Sequence, residues 1–388
     1  MKNIVFVLKL GMLAICLSGC SFSPSSDNSN SGGGSSVSNN DGVLLYNGSS
    51  VKALNTSISG DVVVPEEFNG IKITKIESSA FKNCSQITSI SIPKTVTYIE
   101  EGAFEGCIRL NSVSLPFPGR QKNATDRYTQ FGCIFGRKEY TGSTAAKLVS
   151  SGLINEFWYL PSSLRTVTIT DADVLGDYAF YDCQQLDTIN LNESIVAIGK
   201  SCFNGCTSIE TVSLPNIYTI PTNSFKNCSS LANFNIPDSV TSIGENAFAM
   251  CTNLSSINST EEGCFVISDN VNQIETAAFK GCLKMKKISL PLIGQKQNAT
   301  DMEGQFGWIF GKSSYNGSVA APLKDPGYIN EFWYVPASLK EVIITNAKRV
   351  PNNAFYDCSF LTKISINYAA QSNIGSGAFY NCVTPTWF

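Results

Sequence analysis

One spacing of apolar and polar positions runs through the chain from about residue 60 to residue 385. The segment Ile87–Leu110 shows it in full: an aliphatic residue, two residues, I-x-I-P, an aliphatic residue, then I-x-x-x-A-F-x-x-C before the pattern begins again. Its opening aliphatic recurs at steps of 23, 54, 22, 23, 22, 23, 31, 54 and 22 residues, at Ile87, Leu110, Leu164, Leu186, Ile209, Leu231, Leu254, Met285, Leu339 and Leu361. Such self-similarity predicts a repeat protein.

Each repeat is predicted to contain one short strand and one tight turn. Ser89 to Ile92 alternates polar and apolar residues, which favours a strand, and Pro93 ends it because proline cannot donate to a ladder. The later A-F pair predicts a short helical or 3₁₀ turn. Outward strand positions form a polar face with few charges and no aromatic ring: Ser89, Ser91, Ser112, Ser114, Thr166, Thr168, Thr188, Asn190, Thr211, Ser213, Asn233, Asn235, Ser256, Asn258, Lys287, Ser289, Glu341, Ile343, Lys363 and Ser365.

The F-x-x-C step repeats nine times in one register and predicts a structural column of stacked residues. Its members are Phe81, Cys84, Phe104, Cys107, Phe180, Cys183, Phe203, Cys206, Phe225, Cys228, Phe248, Cys251, Phe279, Cys282, Phe355, Cys358, Phe379 and Cys382. Side chains stacked in parallel do not aim their sulfur atoms at each other, so we expect buried thiols rather than disulfides. Cys133, Cys202 and Cys264 lie outside the column and have no predicted role.

The unit L-x-x-I-x-I-P…I-x-x-x-A-F-x-x-C resembles the BspA-like leucine-rich repeat, found mostly on cell-surface proteins of bacteria and some protists. The resemblance implies a β-rich α/β fold: a right-handed leucine-rich-repeat solenoid with a curved parallel sheet on its concave face and short helical or 3-10 turns on its convex side. It also implies a scaffold that binds a macromolecule, such as a host matrix protein, a cell-surface glycoprotein or a glycan. Adhesion is the expected role.

Two long repeats, residues 110–164 and 285–339, interrupt this spacing. Residues 114–170 and 289–345 align without a gap at an offset of 175, with 33 identities in 57 positions, which indicates duplication of a block together with its insertion. Phe135 and Phe310 are predicted to replace the column phenylalanine of an ordinary repeat.

The insertions concentrate aromatic residues in the shared segment I-N-E-F-W-Y. Its candidate binding residues are Phe157, Trp158, Tyr159, Phe332, Trp333 and Tyr334. One interpretation is an exposed aromatic platform for sugar rings or a partner's pocket, which makes carbohydrate binding the alternative function. The other is that these rings form the insertion's own small core against the repeats.

Composition excludes several classes of function. The chain contains no histidine, which removes histidine-based catalysis and histidine-ligated metal sites. Paired carboxylates, Asp126 with Glu156 and Asp301 with Glu331, are the remaining catalytic candidates, but acids beside Asn and Thr are typical of turns. We therefore expect no enzyme, cofactor or metal. Without Lys2 and Lys9 the chain has 26 basic and 31 acidic residues, a charge of −5, so nucleic acid is not an expected partner.

The first 20 residues have the pattern of a secretory signal that ends in L-S-G-C. Those four residues resemble a bacterial lipobox, which implies lipidation of Cys20 and an extracytoplasmic protein that contacts the membrane only through its lipid. A conventional signal or an uncleaved anchor is the alternative. Residues 21–41 are predicted to be a flexible tether and 42–388 the repeat domain, with an N-terminal cap at 42–60. At the other end, Trp387 and Phe388 either plug the last repeat or leave it open to another chain.

Overall fold

The computed structural model describes residues 40–124, 126–150, 155–325, 327 and 330–388. The signal segment, Cys20 and nearly all of the tether lie outside them. In the first half of the chain the strands are β1 (Leu44–Asn47), β2 (Ser50–Ala53), β3 (Ser59–Val63), β4 (Glu67–Phe68), β5 (Ile71–Lys72), β6 (Lys75–Ile76), β7 (Gln86–Ser91), β8 (Tyr98–Ile99), β9 (Ser112–Leu115), β10 (Ser143–Lys147), β11 (Phe157–Pro161), β12 (Thr166–Ile169), β13 (Val174–Leu175), β14 (Thr188–Asn190) and β15 (Ala197–Ile198).

The second half repeats this scheme. Its strands are β16 (Thr211–Val212), β17 (Thr219–Ile220), β18 (Asn233–Phe234), β19 (Ser242–Ile243), β20 (Ser256–Ile257), β21 (Cys264–Val266), β22 (Gln273–Ile274), β23 (Lys287–Leu290), β24 (Ser318–Pro322), β25 (Phe332–Pro336), β26 (Glu341–Ile344), β27 (Lys363–Ile366) and β28 (Thr386–Trp387). The helices described are short 3₁₀ turns, Asp126–Thr129, Phe131–Ile134, Asp301–Gly304, Phe306–Phe310 and Tyr368–Ala370. Over the described residues, none has the length and apolar character needed to cross a bilayer.

The repeat strands pair in parallel to form two main sheets. The first has the order β16-β14-β12-β9-β7-β3 and the second β18-β20-β21-β23-β26-β27-β28. Equivalent residues of successive repeats stand side by side, as in Ile90↔Val113 and Val113↔Val167. These residues are buried while their neighbours along the strand are half-buried, which matches the period of two read from the sequence. The predicted β-rich architecture with parallel sheets is confirmed.

A second set of two-residue strands follows several of the main strands. Ile76 of β6 pairs with Ile99 of β8. Equivalent residues pair β13 with β15, and β19 with both β17 and β22. At its N-terminal end this ladder continues into the antiparallel hairpin β1–β2, because Val51 of β2 pairs with Ile76. Leu44, Tyr46 and Val51 of the hairpin are buried, and the Tyr46 ring stacks on Phe68 of the small hairpin β4–β5 at 3.8 Å.

The column phenylalanines form two lines of contacting rings, as the register predicts, one from Phe81 to Phe279 and one from Phe310 to Phe379. From Phe180 to Phe279 the neighbouring rings are stacked, with centroids 5.1 to 5.8 Å apart. At the long repeats the line takes two rings rather than one: Phe135 contacts Phe104, and Phe131 contacts Phe180. Phe310 and Phe306 repeat the pair. The sequence prediction of Phe135 and Phe310 as replacements was therefore incomplete, since the insertion spans two steps of the column.

The column cysteines are free thiols that join successive repeats by hydrogen bonds. Cys107 Sγ donates to the Phe81 carbonyl oxygen at 3.1 Å, Cys206 to Phe180 at 3.1 Å and Cys228 to Phe203 at 3.1 Å. Burial raises the pKa of these thiols, for example that of Cys251 to about 12. They are poor nucleophiles at neutral pH, because only the thiolate reacts.

We expect all twelve described cysteines to be found as free thiols when the unfolded protein is alkylated and mapped by mass spectrometry. In the folded protein at pH 7 alkylation should be slow, because burial raises each column pKa and keeps reagents out. Cys382 should react first, since it is half-buried and its pKa is raised only to about 11. A disulfide between two column cysteines would contradict the packing.

A left-handed backbone residue stands directly before each column cysteine. Eight of these positions are Asn, Gly or Asp, the residues that adopt positive φ most readily, and they are Asn83, Gly106, Asp182, Gly205, Asn227, Gly281, Asp357 and Asn381. Met250 is the exception, with φ of 63°. The residue type at the third position of F-x-x-C is thus explained by the turn that each repeat must make.

The 31-residue step after Leu254 contains an additional strand that the repeat spacing does not predict. This strand is β21, in which Phe265 pairs with Ile257 and Ile288 and is buried. Cys264 in this strand is a buried free thiol, as are Cys133 and Cys202. Three positions that the sequence predicts to face outward are instead buried: Ser256, Ser289 and Ser365.

Candidate binding surface

Each long repeat carries an antiparallel hairpin that the ordinary repeats lack. β10 pairs with β11 and β24 with β25, so that Ala146 faces Trp158 and Ala321 faces Trp333. Two 3₁₀ turns precede each hairpin and bring against it the sequence Q-F-G, which both long repeats contain at residues 130–132 and 305–307. The insertion is therefore a folded unit packed on the repeats.

The exposed-platform interpretation is wrong for both tryptophans. Trp158 is 1 % and Trp333 2 % exposed, and both belong to the hydrophobic core. The reason is their position on the inward face of the hairpin, where a large ring supplies most of the apolar area that orders the insertion. Phe157, Tyr159, Phe332 and Tyr334 alternate with them along the strands and are half-buried.

A buried glutamine holds each indole in place. Gln130 Oε1 accepts hydrogen bonds from Trp158 Nε1 at 3.1 Å and from the Val149 backbone N–H at 3.1 Å, while Gln130 Nε2 donates to the Val149 carbonyl oxygen at 2.6 Å. Gln305 makes the equivalent bonds with Trp333 and Lys324. A single carboxamide thus fastens the indole and the chain after β10 together, which sequence reasoning missed although Q-F-G recurs in both copies.

The glycine of the same motif provides the space for the indole. A Cβ on Gly132 would overlap Cβ and Cγ of Trp158, and one on Gly307 would overlap the same atoms of Trp333. The side chain in conflict is buried and cannot move away. Any larger residue at these two positions would displace the hairpin.

Replacing Gln130 by alanine should destabilise the insertion by about 1–3 kcal/mol, because it leaves an indole N–H and two backbone groups without partners in a buried site. Chemical denaturation followed by tryptophan fluorescence measures the loss. The matched control is Q185A. Gln185 lies in an ordinary repeat and its side chain makes no hydrogen bond to any residue that the structure describes, so its replacement should change stability little. Equal effects of the two substitutions would contradict the assigned role of Gln130.

The paired carboxylates proposed from the sequence have separate partners where the structure describes them. Asp301 Oδ2 accepts a hydrogen bond from Thr300 Oγ1 at 3.0 Å, and Glu331 lies 3.8 Å from Lys312 Nζ. In the first copy Glu156 lines a cavity of about 490 Å³ near Arg137, while the side chain of Asp126 lies outside the described residues. Within the described ranges, no group of three or more His, Cys, Asp or Glu residues is placed to hold a metal ion.

The outward face of the main sheets is a polar surface that the repeats share. Its side chains are hydroxyls and amides in the first sheet, and charged residues appear mainly in the second, at Lys287, Glu341 and Lys363. The most exposed positions of this face cluster around the end of the first sheet: Asn190, Thr211, Ser213, Asn233 and Asn235. None of these side chains lies in the core. Two of them bond within the sheet: Asn190 Nδ2 donates to Thr168 Oγ1, and Asn233 Oδ1 accepts from Ser256 Oγ.

The two main sheets are interrupted between β16 and β18, in the middle of this exposed cluster. Proline occupies positions 215 and 237, where Thr170 and Thr345 of other repeats donate a backbone N–H to the preceding repeat. Proline has no such donor, so the ladder loses hydrogen bonds on both sides of the interruption. Two cavities of about 470 and 830 Å³ open here, and Asn235 and Pro237 line both.

Several solved structures are similar to this chain. A leucine-rich repeat protein from Bacteroides ovatus is 23% identical over 88% of this chain and 80% of its own, with a TM-score of 0.43. The T. pallidum leucine rich repeat protein is 22% identical over 61% and 83%, with a TM-score of 0.32. A leucine rich cell surface protein from Faecalibacterium prausnitzii is 20% identical over 83% and 94%, with a TM-score of 0.30.

Comparison with family models gives the decisive match. No curated protein matches the chain. The model described as the BspA type leucine rich repeat region matches in six copies, over residues 67–124, 153–264, 259–298 and 327–386, which is more than half of the sequence. These ranges contain all nine phenylalanines and all nine cysteines of the F-x-x-C column described above. The chain therefore belongs to the BspA-type leucine-rich repeat family.

Proposed function

We propose that this protein is a bacterial cell-surface lipoprotein whose repeats bind an extracellular macromolecule, a protein or glycoprotein, without catalysis. Membership of a leucine-rich repeat family indicates a protein-interaction scaffold, and repeats of this family are generally non-catalytic. The repeats form a right-handed solenoid with the main sheets on its concave face. Lipid on Cys20 tethers this scaffold outside the cytoplasm, with residues 21–41 as a flexible spacer.

The observation that supports binding most strongly is the exposed polar surface of the main sheets. It presents a regular array of hydroxyl and carboxamide groups that the core does not use, and their density is highest between Asn190 and Asn235. Rigid strands hold these groups in fixed positions, which lowers the entropic cost of recognition. A cell-surface description of the Faecalibacterium prausnitzii protein agrees with the same location.

Burial of Trp158 and Trp333 removes both indole rings from the six aromatic residues on which the carbohydrate-binding alternative depended. Residues Phe157, Tyr159, Phe332 and Tyr334 stay proposed contacts for a partner, because each is half-buried and keeps part of its ring at the surface. A protein partner is therefore the better supported ligand.

An array of extracellular matrix proteins and cell-surface glycoproteins, together with a glycan array, tests the proposal. We expect saturable capture of at least one protein by the full-length chain. A protein with no captured partner on either array would contradict the binding function. Metabolic labelling with radioactive palmitate tests the anchor separately, with the C20S variant expected to lose the label.

A further inference from the structure

Three asparagine side chains of this protein each form a pair of hydrogen bonds with the backbone of another repeat. Asn258 Oδ1 accepts from the Ile236 N–H at 2.8 Å, and Asn258 Nδ2 donates to the Ile236 carbonyl oxygen at 3.2 Å. Asn192 binds both backbone groups of Ala172 in the same way, and Asn367 those of Ala347. In each case one carboxamide replaces the pair of hydrogen bonds that a neighbouring strand would supply.

One repeat before the Asn258–Ile236 pair, the residues at the two equivalent positions are not hydrogen-bonded to each other. Asn235 precedes Asn258 by 23 residues, and Leu214 precedes Ile236 by 22. Within the part of the chain that the structure describes, neither the Asn235 carboxamide nor the Leu214 backbone N–H and carbonyl has a hydrogen-bond partner. Asn235 and Leu214 line the same cavity of about 470 Å³.

The cavity lies where the ladder between β16 and β18 is open, so it contains a carboxamide and a peptide group that are both free to pair. Together with the adjoining cavity of about 830 Å³ it has the size of sites that take a ligand, and the two share Asn235 and Pro237. Asp238 is the single ionisable residue among the lining residues of both. An uncharged ligand suits these walls.

The geometry points to a binding groove between β16 and β18 that takes an uncharged, extended peptide segment of the partner protein, held through its backbone by Asn235 and Leu214. This inference rests on the proposed binding function and names the part of the surface that performs it. Peptide is favoured over sugar because the carboxamide-to-backbone pair occurs three times within the fold. In addition, the one aromatic residue lining the groove, Phe234, is buried and offers no ring face for stacking.

A groove that binds the backbone would accept peptide segments of many sequences, provided that they are extended and uncharged. Carbonyl and N–H groups are common to all residues, so affinity depends on the segment being extended and fitting past Leu214 and Pro237. Such a groove suits partners that present polar loops or termini rich in uncharged residues.

Selection of a phage-displayed library of heptapeptides without Asp, Glu, Lys or Arg against the full-length protein tests the inference. We expect selected peptides whose affinity, measured by fluorescence anisotropy, falls about tenfold or more in N235L, the loss of two neutral hydrogen bonds. Methylation of a single central backbone nitrogen of the peptide should weaken binding similarly. The control is N253L, which replaces an exposed asparagine that lines neither cavity and should change affinity less than twofold.

Several outcomes would overturn the inference. They are selection of no peptide, equal binding of selected peptides to N235L and the unsubstituted protein, and a neutral oligosaccharide from the glycan array whose binding is lost in N235L. Asn235 is exposed and unpaired, so N235L should keep the thermal midpoint of the unsubstituted protein. If a partner captured on the protein array binds N235L normally, the proposed function stands and the groove assignment alone fails.

Discussion

Replacement of Trp158 by alanine is expected to lower the free energy of unfolding by about 3–5 kcal/mol, the range for removal of a buried tryptophan. Its indole fills the space above Gly132 and binds Gln130, so the substitution leaves a cavity and removes one hydrogen bond of the Gln130 carboxamide. Trp333 has the same environment in the second copy, and W333A should have a similar effect. Urea denaturation followed by circular dichroism measures both.

Tyr218 provides the matched control, because its aromatic ring is 66 % exposed on an ordinary repeat and Y218A should change stability by less than about 0.5 kcal/mol. The same variants separate the two interpretations of the aromatic segment. If W158A kept its full stability but lost capture of a partner, the indole would be a binding residue, contrary to its burial.

Replacement of Phe225 by alanine should be as costly, about 3–5 kcal/mol, because this ring lies at the centre of the phenylalanine column. It stacks on Phe203 at 5.1 Å and on Phe248 at 5.5 Å, and it meets the edge of Phe234 at 4.8 Å. Repeats are stabilised mainly by their interfaces with the adjacent repeats, so a cavity here weakens two interfaces at once. Loss of protection should appear in amide exchange of the repeats on both sides.

Phe379 in the last repeat is the comparison for this substitution. It is only partly buried and contacts one column ring, Phe355, at 5.8 Å. F379A should therefore cost clearly less than F225A and should leave amide exchange near residue 225 unchanged. A larger loss from F379A than from F225A would show that the last repeat, rather than the centre of the column, limits stability.

Residue spacing predicted most of the architecture because every repeat has the same pattern of residues and makes the same contacts with its neighbours. Alternation at Ser89–Ile92 predicted a strand, and F-x-x-C predicted stacked rings and thiols, since a residue that recurs in one register meets its equivalents in the neighbouring repeats. The residue spacing did not predict the structure where the length of the step changed. The strand at Cys264–Val266 was missed because it adds a ladder step without a full repeat.

Candidate site residues were harder to predict than core residues, because exposure depends on how separate segments pack. Trp158 reads equally well as a platform or as a core residue, and its burial follows from contacts with Gln130 and Gly132, more than 25 positions earlier in the chain. The groove at Asn235 had no signal of its own either. Its prolines also occur in repeats whose ladders are intact.

By itself the sequence determined the repeat, the parallel stacking, the buried columns and the family, since all of these follow from local pattern and register. Only the tertiary structure decided which side of the inserted hairpin faces the core and where the ladder opens. Burial and an unpaired backbone group are properties of several segments packed together, and the residues that create them, such as Leu214 and Asn235, are distant in sequence and ordinary in type.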